Sequence, residues 1–169
     1  MSSGLRINVG LIESAAGALP ATMRRVEENT AEAINRRIQR QTETRVRHFA
    51  AHPDTIDRRL SELDREWDIE RTLEANAATL ALAGTLLSAF VDRRFLLLPG
   101  IVAMFLLQHA VQGWCPPVPF LRSLGVRTAS EIERERFALK ALRGDFRTTH
   151  TAMGRVAQAE AALEAVEAR

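Results

Sequence analysis

One cysteine and four histidines hold most of the chemistry open to this chain of 169 residues. Cys115 stands in the run Gly113-Trp114-Cys115-Pro116-Pro117. Being alone, it can form neither a disulfide within one chain nor a cysteine-based metal site. What it offers is a redox-sensitive or sulfur-accepting thiol, or a bond to its own copy in a dimer. A reactive thiolate needs a nearby cation or a helix N-terminus, and a helix ending before Trp114 presents its C-terminus instead. His109, flanked by Gln108 and Gln112, makes a polar patch within an apolar run, suited to bonding across helices or to a proton or metal role. His48 and His52 are four apart, a spacing that a metal accepts, but no third ligand accompanies them and Pro53 follows at once. No HExxH, GxSxG or glycine-rich phosphate loop is present. The reading is a non-enzymatic protein, with no catalytic residue, cofactor or metal assigned.

The elements that would position these groups follow from how charge is distributed. Residues 75–91 are uncharged, as are residues 95–121, and only Asp92-Arg93-Arg94 lies between the two runs. The first run is about seventeen residues and the part of the second up to Trp114 about twenty, against the roughly 20 that cross a bilayer. Outside the runs arginine, glutamate and aspartate are dense. The fold expected is all-α: a two-helix transmembrane hairpin over residues 75–114, with long amphipathic helices before and after it. Phe95 and Trp114 mark the two ends of the second run, as interfacial aromatics do. Ala77, Ala81, Gly84 and Ser88 form a small-residue packing stripe on the first helix, with Ala103, Ala110 and Gly113 as its match on the second.

Residues 1–20, with three glycines and Pro20, read as poorly ordered. Residues 21–74 read as cytoplasmic amphipathic helices, the first running to Ala51 and stopping at His52-Pro53. Ile56, Leu60, Leu63 and Trp67 then form a 4-3-4 stripe that could recruit a second copy or an unidentified protein partner. This helix is expected to run unbroken into the first span. Residues 115–147 comprise a proline-rich exit and a basic helix. Thr128 and Glu131 form a capping box at its start and Gly144 a stop. Arg122 and Arg127 are its candidate contacts to lipid headgroups. Glu131, Glu133 and Glu135 are interleaved there, as on a solvated face. Residues 148–169 are an Ala- and Glu-rich helix.

Net charge is only +2, so nucleic acid is not an expected partner. Lys140 is the single lysine, and arginine in its place at this ratio fits a GC-rich genome. Arg58, Arg59, Arg65 and Arg71 precede the first run, and Arg122, Arg127, Arg134 and Arg136 follow the second. The link has only Arg93 and Arg94. By the positive-inside rule both termini are cytoplasmic. The partners expected are the lipid bilayer and further copies of the chain.

Glu70-Arg71 before a span, Gly84 within it, Gly113-Trp114-Cys115-Pro116 closing the second span, and Leu124-Gly125 beyond form a recognisable series. On these residues the segment 70–146 resembles the DUF2892 family of small two-helix bacterial membrane domains. These are similar to the transmembrane domain of the YgaP-type inner-membrane rhodanese. The resemblance implies a helical hairpin in the bacterial inner membrane, often self-associating, with no agreed activity for the domain alone. The chain has no rhodanese-like segment and no second cysteine, so sulfur transfer is not implied. Three readings therefore stand: a membrane-anchored interaction or scaffold module, a redox or sulfur-handling accessory using Cys115, and a soluble helical bundle.

Overall fold

The computed structural model describes residues 23–147, 149 and 154–167; the reading of residues 1–20 lies outside them. Among the described residues all regular structure is helical, as expected. The helices are α1 (Arg25–Glu28), α2 (Glu32–Ala51), α3 (Ile56–Leu63), α4 (Ile69–Phe90), α5 (Leu97–Gln112), α6 (Pro117–Ser123), α7 (Ala129–Arg143) and α8 (Arg155–Glu167). Short 3-10 turns occupy Pro53–Thr55 and Arg93–Leu96. The chain forms two compact units. A head combines Thr30–Asn76 with Pro117–Arg169, and a hairpin unit combines Met1–Asn29 with Ala77–Pro116.

The head is built around α2, α3 and α7. His52-Pro53 ends α2 as the sequence predicts, and Pro53 opens the 3-10 turn that leads into α3. Ile56, Leu60 and Leu63 then pack with Phe49 of α2 and Ile132 and Leu139 of α7 in one buried cluster. The stripe expected to recruit a partner is thus filled by the chain's own helices. Trp67, its fourth member, lies outside the cluster and is 50% exposed. The expected unbroken helix is also interrupted. After Leu63 the chain leaves the helix, and Asp68 starts α4 by accepting the amide of Arg71 on its Oδ1 at 2.8 Å. A short acidic side chain satisfying an orphan amide is what resets a helix start. The capping box of α7 is present, with the Glu131 amide 3.3 Å from the Thr128 hydroxyl and the Thr128 amide 2.9 Å from Glu131 Oε2. Gly144 closes that helix in the left-handed region, φ 94°. Lys140 Nζ donates to the carbonyl of Val166 at 2.5 Å, which ties α8 to α7.

In the hairpin unit the helix expected over residues 21–51 breaks at Asn29. The Asn29 side chain donates to the carbonyls of Arg25 at 2.8 Å and Gln112 at 2.9 Å. Such side-chain bonds compete with helical ones and end α1 after one turn. The link between α4 and α5 is as tight as three charged residues allow: Asp92 Oδ1 accepts the Arg94 amide at 2.8 Å and starts the 3-10 turn. At Gly84 the two helices approach closely. A Cβ there would lie 2.7 Å from Pro99 Cδ and 3.0 Å from Leu98 Cβ. The side chains that meet Gly84 are therefore Leu98 and Pro99. Ala77, Ala81 and Ser88 are half-buried. Gly113 ends α5 in the left-handed region, φ 73°, and a Cβ on it would strike Arg25 at 2.6 Å. Beyond it, in the head, the proline-rich stretch is more than an exit. Pro117 and Pro119 fall in the first turn of α6, where a missing amide breaks no helical bond.

Candidate functional site: an apolar hairpin and a buried ionic cluster

Residues Ile69–Phe90 and Arg93–Gln112 are each long and apolar enough to cross a membrane. Within their apolar windows only 11% and 6% of residues are buried by the rest of the protein. Leu82, Leu86, Phe90, Leu97, Met104 and Leu107 all stand exposed. The core helix of a soluble bundle would show the reverse. At the far end of α5, Gln108 is half-buried, His109 is buried, and Gln112 is exposed with its carbonyl taken by Asn29. Cys115 is 3% exposed, so an oxidant reaches its thiol only after local opening. His48 and His52 stack with ring centroids 4.5 Å apart, and His52 Nδ1 contacts the His48 carbonyl at 2.9 Å. Among the described residues no three His, Cys, Asp or Glu side chains gather as a metal site.

The head holds the chemistry that sequence reading placed elsewhere. Arg122 and Arg127, expected at lipid headgroups, are 0% and 4% exposed. Arg122 grips Glu131 with two nitrogens, at 2.6 and 2.8 Å, and also donates to the carbonyl of Val126, Asn35 Oδ1 and the Thr30 hydroxyl. Arg127 grips Glu66 in the same way, at 2.7 Å twice, and reaches Glu135 Oε2 at 2.5 Å. Glu135 is fully buried and takes two further arginines, Arg45 at 3.0 Å and Arg59 at 2.8 Å. Three guanidinium groups therefore converge on one carboxylate. Parallel two-point pairing is the strongest geometry open to these groups.

Burial by itself would raise the Glu135 carboxyl, but the Arg59 bond and the charges of Arg127 and Arg45 outweigh it and hold it below the usual carboxylate range. Glu131 follows the same balance: burial pushes it up, while the Arg122 and Thr128 bonds hold it down. A general acid needs a proton to give near neutral pH. The cluster as built is a set of ionised carboxylates matched by buried guanidinium groups. At the rim Arg136 pairs with Asp64 and Glu133, and Arg143 with Asp57 and Asp145.

A signal for the inward glutamates does exist in the sequence. Glu131, Glu135 and Leu139 are spaced by four, so both carboxylates lie on the face of α7 that buries Leu139. The chain matches no protein-family model, no curated protein and no solved structure. Fold and site together define an all-helical protein with a hairpin-like pair of helices long and apolar enough to span a membrane.

Proposed function

We propose that this chain is a small bacterial inner-membrane protein of the DUF2892 type, a non-enzymatic interaction or scaffold module anchored by its hairpin. The observation that carries the reading is the exposure of α4 and α5: apolar around their circumference, yet almost uncovered by their own protein. Backbone groups satisfied within each helix suit that pair to lipid. A second observation supports an even number of crossings. The stretches before and after the hairpin pack into one head, with Arg45 and Arg59 of the first bonded to Glu135 of the second. Both flanks therefore share one side of any membrane the hairpin crosses. Arginine counts put that side in the cytoplasm.

With Ile56, Leu60 and Leu63 used in the core, self-association falls to apolar side chains the head leaves exposed, Phe137 and Leu142 on α7 and Leu163 on α8. The test is carbonate extraction of membranes from cells expressing the chain with a C-terminal reporter that is active only in the cytoplasm. Retention in the pellet with an active reporter is the expected result. Release into the supernatant overturns the proposal. Cys115→Ser is expected to leave both retention and assembly unchanged, and loss of assembly in that variant would favour a thiol-based role.

A further inference from the structure

The head leaves an aromatic and cationic patch beside the point where the chain runs into α4. The Trp67 ring lies over the Arg71 guanidinium at 4.5 Å. Arg71 is in the first turn of α4, four residues before Ala75, where the uncharged run begins. At helical rise that is about 6 Å along the axis. A bilayer of roughly 40–45 Å with a hydrocarbon core of about 30 Å has a polar layer on the order of 5–8 Å on each face. With the uncharged run in hydrocarbon, Arg71 falls at phosphate depth and carries Trp67 with it.

Indole rings favour the boundary between headgroup and acyl chain, and guanidinium groups favour phosphate.

We infer that Trp67 and Arg71 form a docking surface for the polar layer of the bilayer, with Arg71 on lipid phosphate and the Trp67 ring at the acyl boundary. The inference rests on the membrane reading above, and the chain's two tryptophans separate the two ideas. The full chain is reconstituted in phosphatidylglycerol and phosphatidylethanolamine vesicles whose acyl chains are brominated either near the headgroup or near the chain end. In Trp114→Phe protein, Trp67 should emit at short wavelength and be quenched more by the shallow bromines than by the deep ones. Arg71→Gln should shift that emission to longer wavelength.

Quenching of Trp67 by aqueous iodide but not by bromolipid would overturn the docking surface by placing the ring in water. Quenching by neither would overturn it by placing the ring under protein, such as a second copy. The Trp67→Phe protein reports the hairpin alone. If Trp114 is quenched by bromolipid and Trp67 is not, only the docking surface falls. If neither tryptophan responds to bromolipid, the membrane reading falls as well.

Discussion

The hairpin and the head are inverted in polarity. In the head, the largest fully buried side chains include Arg122 and Glu135. In the hairpin, leucine, isoleucine, phenylalanine and methionine point outward, and a close approach of its helices is made at a glycine, Gly84. One region places charge where solvent is absent and the other places hydrocarbon where its own chain is absent. The two differ in what specifies them. The head depends on directional, paired bonds, which fix one arrangement of α2, α3 and α7. The hairpin depends on shape at one crossing and on the surroundings that cover its outer surface.

The largest test of this contrast removes the hub of the head. Glu135→Ala leaves Arg45, Arg59 and Arg127 without their shared carboxylate. Breaking a buried ionic partnership on one side costs about 3–5 kcal/mol. The expected outcome is a head that loses protease resistance while membrane retention of the hairpin is unchanged. Parallel loss of both would show the two regions to be one folding unit. Acid gives a reversible version. Glu131 and Glu135 are held below the ordinary carboxylate value of 4.5, so their contribution is complete above that pH. It is withdrawn as pH falls below 4.5 through their depressed folded values. Amide protection should fall in α7 over that range and hold in α5.

In the hairpin, Gly84→Val forces bulk against Pro99 and Leu98. Overpacking of this kind costs about 1–3 kcal/mol. In a Cys115→Ser background, cross-linking between cysteines placed across α4 and α5 should fall, with the head's melting unchanged. The smallest effect expected is from Thr128→Ala, which removes the hydroxyl half of the capping box on α7. A loss of about 1 kcal/mol should appear in head melting alone.

These regions were also unequally legible from sequence. The hairpin announces itself through two uncharged runs, and the three residues between them leave room for little but a tight turn. Local signals served equally well at Thr128, Glu131, Gly144 and His52-Pro53, since each acts within a few residues of itself. Arg122 and Arg127 were misplaced because their partners lie far along the chain: Glu66 is 61 residues from Arg127, and Asn35 is 87 from Arg122. No spacing rule reaches that far, and an arginine near a span reads by default as solvent-facing. The stripe Ile56-Leu60-Leu63 was correctly apolar, but its occupant depended on where α7 returns. Asp68 was a readable cap that the apparent continuity of the Trp67–Leu80 face concealed.

The head is assembled from two stretches separated by the whole hairpin. During synthesis the first stretch emerges with Arg45, Arg59 and Glu66 and must wait, hydrated, for a carboxylate and a guanidinium encoded some sixty to ninety residues later. Under the membrane reading, those later groups arrive on the same side only if both helices have crossed or neither has. A chain that inserted one helix and stranded the other would leave Glu135 across the bilayer from Arg45 and Arg59. Closure of the ionic head is therefore a record of an even number of crossings, since a chain threaded once keeps its carboxylate and its guanidinium groups apart.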